Sequence, residues 1–518
     1  MTENRQVTRA AGIVGGATFL SRIFGFVRDV VIAGFFGAGM ASDAFFVAFR
    51  IPNLLRRLFA EGSLTVAFIP VFSEYLTRQG REEAFRLARS AMRMLSAILA
   101  AVAVLGILLS PLIIKVIAPG FTALPEKYRL CVDLTRLMFP YIFFIGLVAL
   151  CMGILNVLGH FAAPALAPVF LNLAMIASVL LVSPRLEQPV FGLAAGVLAG
   201  GLLQLALQLP FLAKSGLRFW QKTKIYHPGL KRIGLLMLPA VFGAAVYQIN
   251  ILIGTLLASL LPEGSVSYLY YADRLVQFPL GIFAIATATA VLPSLSKQVA
   301  ASDFDGLRDT FGHALNFVFF ITMPAMVGMV VLREPIVRLL FQRGAFDAAT
   351  VRLTAVALLY YCAGLWAFSA VRIVVSVFYA LQDTRTPVKM AVVAIVVNLV
   401  AGIALMHPLK HGGLALATSL ASMVNLGLLI WALRGRIGML DWRGMLSSAL
   451  RSFVNSVVMG GVVWGAARFM LPQNQRSSLL LGVGVIGAIG AGVAVYAILA
   501  FVSGSPELGR LVRALRRK

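Results

Sequence analysis

The chain has 518 residues, of which 60% are hydrophobic and 13% charged, and its mean hydropathy is +0.91. Soluble domains carry about a quarter charged residues, so this composition excludes a soluble globular protein and indicates a polytopic membrane protein. The net charge of +25 does not indicate nucleic-acid binding, because the basic residues lie in short runs between hydrophobic windows.

Fourteen hydrophobic windows follow one another along the chain, each long enough for a membrane crossing, which needs about 20 apolar residues. They are 10–37, 42–76, 88–118, 130–159, 163–183, 190–213, 231–261, 266–298, 309–332, 350–381, 386–406, 412–434, 447–470 and 478–503. The N-terminal stretch lacks the cleavage site of a secretory signal, so we expect it to be retained as the first helix. Basic residues are concentrated in alternate loops, such as 78–89 and 214–232, which predicts that both termini are cytoplasmic.

Three pairs of segments indicate an internal duplication. "LNVLGHFAAP" resembles "FYALQDTRTP", "FIPVFSEYL" resembles "VLPSLSKQV", and both pairs are 223 residues apart; "LSPLIIKVIAPGF" matches "LREPIVRLLFQRGAF" with a drift of one residue. This offset spans six windows, so both copies cross the bilayer in the same sense and should be related by an axis along the membrane normal.

The sequence therefore predicts an all-α polytopic membrane protein with 14 transmembrane helices. Its two six-helix lobes are an N-terminal lobe at 1–220 and a C-terminal lobe at 221–440, followed at 441–518 by two further helices and a basic cytoplasmic tail. Two such lobes are expected to meet at a central cleft, where a transported substrate binds. A duplicated scaffold without transport is the alternative.

Charged residues inside the apolar windows are the main functional signal. The basic ones are Arg22, Arg28, Arg56 and Arg274, and the acidic ones are Asp29, Asp43, Glu61 and Asp273. An arginine at mid-bilayer costs about 2.5–3.5 kcal/mol, so we expect these groups to face a watery cavity or to pair with one another. Because guanidinium groups match phosphate oxygens, an anionic ligand with a phosphate or diphosphate is favoured. A purely internal lattice of ion pairs is the alternative.

Local geometry separates two neighbouring arginines. Arg57 and Glu61 are four residues apart on a helix and can pair, whereas Arg56 points about 100° away from Arg57 and is expected to be freer. Pro52 removes a backbone hydrogen bond and is expected to bend this helix. A single helical wheel therefore does not relate the directions of the side chains before Pro52 to those after it.

The segments "SRIFGFVRD", "GAGMASDAFFVAFRIPNLLRRLFAEG" and "YYADRLVQFPLGIFAIATATAVLPSLSK" closely resemble the MurJ (MviN) family of bacterial lipid II flippases. This family belongs to the multidrug/oligosaccharidyl-lipid/polysaccharide (MOP) exporter superfamily, and the resemblance runs from about residue 10 to about residue 500. It implies transport of undecaprenyl-diphosphate-linked disaccharide-pentapeptide from the cytoplasmic to the periplasmic leaflet of the inner membrane, for peptidoglycan synthesis.

The resemblance also implies roles for particular residues. The family's functional charges fall on Arg22, Arg28, Asp29, Asp43, Arg56, Glu61 and Arg274, with the arginines binding the diphosphate and the acids pairing with them or forming a gate. Asp273 joins the acids on energetic grounds alone. The two last helices resemble the family's extra pair, which is proposed to form a groove for the lipid tail.

Some relatives bind sodium between helices 7 and 11, but a hard cation prefers a site that includes a carboxylate. Helices 7 and 11 of this sequence contain no Asp or Glu, and Asn250, Asn398 and Thr418 offer only neutral oxygens. The sequence therefore argues against sodium coupling and predicts no cofactor, while coupling to another ion or to the membrane potential stays open. The three cysteines, Cys131, Cys151 and Cys362, have no CxxC spacing and indicate neither a disulfide nor a metal site.

Two other functions are weaker alternatives. Another exporter of the same superfamily, for a drug or a polysaccharide-lipid, would not need the arginines. A membrane enzyme would need a larger extramembrane loop with His or carboxylates, and the dispersed histidines show no HExxH spacing, so no enzyme is predicted. The expected partners are lipid II and membrane lipids, without nucleic acid, and we expect a monomer that associates with the cell-wall synthesis machinery.

Overall fold

A computed structural model describes residues 3–58, 64–218, 221, 226–439, 441–470 and 478–509. These residues form helices and connecting turns without a β-strand, which confirms the predicted all-α class. The helices are α1 (Glu3–Phe36), α2 (Met40–Leu58), α3 (Leu64–Arg78), α4 (Arg81–Ile117), α5 (Pro125–Met138), α6 (Tyr141–Val157), α7 (Ala162–Leu181), α8 (Val190–Lys214), α9 (Pro228–Ser259), α10 (Ser265–Pro279), α11 (Ile285–Ala300), α12 (Phe304–Val331), α13 (Arg333–Phe341), α14 (Ala348–Cys362), α15 (Leu365–Ala380), α16 (Arg385–Ile437), α17 (Trp442–Met470) and α18 (Ser478–Val502).

Each of the fourteen hydrophobic windows coincides with one or two of these helices. Within the described ranges, nine helices are long and apolar enough to cross a bilayer, or ten if the bent pair α14 and α15 is one span. This makes the chain a multi-pass membrane protein, while the exact number of fourteen crossings stays a prediction. The predicted window 42–76 contains two helices, α2 and α3, and α2 continues through Pro52.

The chain divides into two compact units. Unit 1 comprises Met1–Gly264 together with Arg343–Ala345, and unit 2 comprises Ser265–Gln342 and Phe346–Lys518. In unit 1, α7 packs on α8 and α1, and α9 packs on α3 and α4. The duplication assigns α9 to the second lobe, whereas packing places it in unit 1. The lobe boundary at 220 therefore stays a prediction.

The core of unit 1 is formed by apolar side chains of α3, α4 and α6. Phe68, Phe72, Leu87 and Ile154 are at most 1% exposed within it. In unit 2, α12 packs on α15 and α17, and α17 packs on α18. The Tyr496 hydroxyl donates to the Phe320 carbonyl oxygen at 2.9 Å, which ties α18 to α12.

The helix boundaries repeat along the chain as the duplication predicts. Helix α7 begins at Ala162 and α16 at Arg385, 223 positions later; α6 ends at Val157 and α15 at Ala380, again 223 positions later. The helix break between α5 and α6 also recurs between α14 and α15, where the axis bends by 43°. The repeat is therefore visible in local structure as well as in sequence.

Two irregular turns interrupt the apolar helices of unit 2. A π-helical turn, Leu280–Ala284, follows Pro279, which has no N–H to donate to the preceding turn. The long helix α16 is broken at Lys410, which has φ 50° and ψ −132°. This break lies between the predicted windows 386–406 and 412–434, and a Cβ placed on Gly413 would lie 2.1 Å from the carbonyl oxygen of Leu405.

Candidate functional site

Arg28 and Asp29 form an ion pair on α1. The Arg28 Nη2 and Nε atoms lie 2.7 and 3.0 Å from the same oxygen, Asp29 Oδ1, and the two side chains are 11% and 3% exposed. Consecutive residues on a helix point in different directions, so the long arginine side chain has to bend back toward its neighbour. The structure therefore brings together two of the predicted site residues.

Asn172 on α7 fixes the other side of the Arg28 guanidinium. Its Oδ1 accepts from Arg28 Nη1 at 2.9 Å, and its Nδ2 donates to the Ser21 carbonyl oxygen of α1 at 3.2 Å. The planar guanidinium is thus held by a carboxylate and an amide on two helices, which limits its rotation. Asn172 was not predicted as a site residue, although an amide inside the apolar window 163–183 is a usable signal.

Asp43, at the start of α2, is buried with a lysine as its ion-pair partner. Its Oδ2 lies 2.8 Å from Lys127 Nζ of α5 and also accepts from the Gly264 N–H at 2.8 Å. Lys127 Nζ lies 4.3 Å from the centre of the Phe121 ring, within the range of a cation–π contact. The sequence predicted arginines beside the acids of the site, and it did not indicate Lys127 as the partner of Asp43.

Arg56 and Arg57 lie near the end of α2 and are both half-buried. Arg56 Nε donates to Asn53 Oδ1 at 3.0 Å, one turn earlier on the same helix. Arg57 Nε is buried and has no hydrogen-bond acceptor among the described residues. Glu61, the predicted partner of Arg57, lies outside the described residues, so this pairing stays a prediction.

Arg22 is exposed on α1, six residues before Arg28. In unit 2, Arg372 is likewise exposed, at the middle of the apolar helix α15. Arg372 was not predicted as a site residue, although it is a basic residue inside the apolar window 350–381 and so lies at membrane depth. Arg372 therefore joins the candidate basic residues of unit 2.

Asp273 and Arg274 are consecutive on α10 but bond to different side chains. Arg274 Nη2 donates to the Tyr270 hydroxyl at 3.1 Å, and its guanidinium carbon lies 5.0 Å from the centre of the Tyr270 ring. Asp273 accepts a hydrogen bond from Gln277. Tyr270 thus positions Arg274 through a hydrogen bond and a cation–π contact, and sequence reasoning did not identify it.

Two of the three candidate metal ligands lie near each other in unit 2. Thr418 Oγ1 is 3.5 Å from Asn398 Oδ1 and donates to the Leu414 carbonyl oxygen at 3.0 Å. Asn250 belongs to α9 in unit 1. Over the parts of the chain that the structure describes, no three His, Cys, Asp or Glu residues are grouped as metal ligands. Asn398 and Thr418 thus lie within hydrogen-bonding distance of one another, and the argument against sodium coupling stays a prediction.

These side chains define the chemistry that the helices can support. Charged residues inside a membrane protein mark substrate or ion pathways, and guanidinium groups bind phosphate oxygens through directed hydrogen bonds. Apolar helices that carry charges of this kind are typical of a multi-pass membrane transporter.

Comparison with known proteins identifies the family. A family model described as Lipid II flippase MurJ matches residues 32–484. The chain is 38% identical to a probable lipid II flippase MurJ of Vibrio cholerae over 97% of both chains. It is also 38% identical to a lipid II flippase MurJ of Burkholderia cenocepacia, covering 89% of this chain and 90% of that one. The chain therefore belongs to the MurJ family of transporters and is not an enzyme.

Solved structures agree with the fold. A lipid II flippase MurJ in an inward closed conformation has a TM-score of 0.79 and 27% identity, covering 94% of this chain and 98% of that one. An inward-facing multidrug-resistance MATE transporter of the MOP superfamily has a TM-score of 0.67 and 16% identity, covering 82% and 98%. The similarity to the MATE transporter concerns the fold alone. The two solved structures together confirm the predicted MOP-like architecture.

Proposed function

We propose that this protein moves lipid II from the cytoplasmic to the periplasmic leaflet of the bacterial inner membrane. The observation that carries the proposal is the 38% identity to a probable lipid II flippase over 97% of both chains. The MurJ match across residues 32–484 supports it, because it includes all the charged positions of the candidate site except Arg22, Arg28 and Asp29.

The proposal extends to how the substrate's diphosphate is bound. Arg28, Arg56 and Arg274 supply the guanidinium groups, with Arg22 assisting, while the polyprenyl tail stays in lipid or in the groove predicted beside the two last helices. Asp29 and Asn172 hold Arg28 in one orientation, and Tyr270 does so for Arg274. A guanidinium fixed in advance loses less side-chain entropy when it binds a phosphate.

Transport by alternating access completes the proposal, with Asp29, Asp43, Glu61 and Asp273 as the charge-pairing and gating groups. Moving one elementary charge through 100 mV is worth about 2.3 kcal/mol, so an excess of positive charge lets the membrane potential return the empty carrier. The protein acts as a monomer, with both termini in the cytoplasm, beside the cell-wall synthesis machinery. Sodium is not required.

Complementation tests the function. In a bacterium depleted of its own lipid II flippase, expression of this protein should prevent lysis and restore lipid II to the outer leaflet, measured with an impermeant reagent that modifies only outward-facing lipid II. Lysis with lipid II trapped on the inner leaflet, despite normal expression of the protein, would refute the proposed function.

Single substitutions test the diphosphate assignment separately. Arg28→Ala and Arg274→Ala should lose flipping, whereas Arg136→Ala should not, because Arg136 is an exposed residue paired with Asp133. If the wild type complements and both site variants do as well, the arginine assignment is wrong and the flippase assignment stands. Protection from cationic drugs without complementation would instead favour another exporter of the superfamily.

A further inference from the structure

Four residues spaced by one helical turn form a single face at the start of α4, outside the candidate substrate site. They are Arg81, Phe85, Arg89 and Arg93, and residues four apart on a helix lie above one another. This face packs toward the connection that follows α8. Arg81 Nη2 donates to the Ser215 carbonyl oxygen at 2.6 Å, and Arg93 Nη2 donates to the Gln221 carbonyl oxygen at 2.7 Å.

Arg89 is the unusual member of this face. It is only 8% exposed, it donates one hydrogen bond to the neutral side-chain oxygen of Gln221, and its buried Nε has no acceptor. Among the described residues, no carboxylate lies within ion-pair distance of it. Burying a charge without a counter-ion costs several kcal/mol, so a compensating anion is expected beside it.

A cavity of about 400 Å³ provides the space for that anion. Arg89 and Arg81 line it, together with Phe85, Gly216, Gln221 and Glu82. Glu82 is the one acid in this lining, but its side chain is 82% exposed and it pairs with Arg86 outside the cavity. Arg81 also lines a neighbouring cavity of about 430 Å³ with Lys214 and His160. Both volumes are in the range of small-molecule sites.

We propose that Arg81 and Arg89 form a binding site for a phosphate-bearing anion at this end of unit 1. The planar guanidinium of Arg89, which has no carboxylate partner among the described residues, is suited to a phosphate oxygen, and Arg81 adds a second cation on the same helix face. The site lies in the first turns of a membrane-spanning helix, at the side predicted to be cytoplasmic. Basic pockets at that depth bind anionic lipid headgroups, and a soluble phosphate offers the same chemistry.

The test uses the full chain, purified in a neutral detergent. Dihexanoyl-phosphatidylglycerol, dihexanoyl-phosphatidylcholine and inorganic phosphate are titrated separately, and binding is followed by the ligand-dependent rise in Tm. Phosphatidylglycerol should bind roughly tenfold more tightly than phosphatidylcholine, and the difference should shrink as salt is raised. Saturation by inorganic phosphate as well would identify the phosphate itself as the ligand; saturation by phosphatidylglycerol alone would identify the lipid headgroup.

Variants tie the binding to the site. Arg89→Gln and Arg81→Gln should each weaken binding by about tenfold or more, whereas Arg78→Gln should change it by less than about twofold. Arg78 is the matched control, because it lies three residues before Arg81, is 76% exposed and lines neither cavity. If Arg89→Gln does not fold, Arg89→Lys replaces it as the test. This variant keeps the positive charge but loses the planar guanidinium with its paired N–H donors, so it should still weaken binding severalfold.

Two results would overturn the proposal. One is the absence of any anion-dependent Tm shift in the wild-type protein; the other is binding by the Arg81 and Arg89 variants that equals the wild type. Neither result bears on lipid II transport, because the readout is ligand binding.

Discussion

Lys127 Nζ lies 2.8 Å from Asp43 Oδ2, and the two side chains are 4% and 1% exposed. This buried ion pair joins α5 to α2. Asp43 also accepts the Gly264 N–H at 2.8 Å, so its carboxylate holds Gly264 as well as α5 against α2.

Replacing Lys127 should therefore destabilise the protein strongly. Lys127→Met removes the ammonium group that lies 2.8 Å from the buried Asp43 carboxylate, and the loss of one partner from a buried pair costs about 3–5 kcal/mol. We expect a Tm several degrees lower in detergent, measured by thermal unfolding.

Arg136→Met is the matched control for Lys127→Met, because it removes a cation from the same helix. Arg136 pairs with Asp133 at the surface, with side chains 47% and 52% exposed, and such pairs contribute about 0–1 kcal/mol. The double variant Asp43→Asn/Lys127→Met should recover part of the lost stability, since asparagine is neutral and can still accept the Gly264 N–H. Equal Tm values for Lys127→Met and Arg136→Met would contradict the buried-pair argument.

Asn172→Leu should reduce transport more than it reduces stability. The substitution leaves Arg28 paired with Asp29 but removes the amide that holds Arg28 Nη1 at 2.9 Å, so the guanidinium gains freedom to rotate. Misplacement of a binding group by about 1 Å can cost roughly 100-fold in rate. We expect at least a tenfold slower flipping rate in proteoliposomes, at normal expression.

Asn425→Leu on α16 is the control for Asn172→Leu. It removes an amide whose buried oxygen has no hydrogen-bond partner within the described residues, so flipping should stay close to the wild-type rate. If the two variants transport equally well, Asn172 has no positioning role.

Asp383 should stabilise the start of α16 in a pH-dependent manner. Its carboxylate accepts hydrogen bonds from the Thr386 hydroxyl at 2.6 Å and the Thr386 N–H at 3.0 Å, and it lies 3.2 Å from Arg436 Nη2. The Thr386 hydrogen bonds, with a smaller contribution from the charge of Arg436, lower the pKa of Asp383. The folded-state pKa thus lies below the unfolded value of about 3.9.

The pH dependence follows from that direction. The stabilisation by Asp383 is fully present above pH about 4 and is lost as the pH falls through the folded-state pKa. Asp383→Ala should cost about 1 kcal/mol at pH 7, as expected for a helix cap, and progressively less below pH 4. Thermal unfolding at pH 7 and pH 3 measures this, with Asp305→Ala as the control because the Asp305 side chain is 92% exposed. If the stability difference between the wild type and Asp383→Ala is the same at pH 3 as at pH 7, the Asp383 carboxylate is not its source.

Gly344 should not tolerate a side chain, for two separate reasons. Its φ is +54°, and a Cβ at this position would lie 2.2 Å from the carbonyl oxygen of Gly34 on α1. Gly504 has a similar φ of +64° but nothing within 4 Å of its Cβ position. Gly504→Ala should therefore lower the free energy of unfolding by only about 1 kcal/mol, the cost of a positive φ for alanine. Gly344→Ala should lower it further, because the new Cβ also clashes with the carbonyl oxygen of Gly34. Thermal unfolding of both variants checks this. An equal decrease in Tm for the two variants would show that the backbone near Gly34 moves aside without loss of stability.

The sequence predicted the helices well because apolar windows are a direct consequence of bilayer thickness. Every window coincides with helix, and the 223-residue repeat reappears in the boundaries of α7 and α16. The irregular turns were not predicted, because a π-turn after Pro279 and a break at Lys410 depend on local backbone geometry that hydropathy does not encode.

The candidate site was predictable in its charges but not in their partners. The free-energy cost of placing a charged side chain in the bilayer was enough to identify Arg28 and Asp29 as candidate functional residues. Asn172 and Lys127 lie 144 and 84 positions from the groups they contact, and helical periodicity carries no information about contacts between helices that far apart. Pairings of this kind require the packing of the fold.

The break in α16 has a mechanical consequence. The two segments on either side of Lys410 meet with no linker between them, and at Gly413 the backbone of one segment lies where a side chain would be. A side chain at position 413 would force the two segments apart at this break, so their close approach depends on glycine.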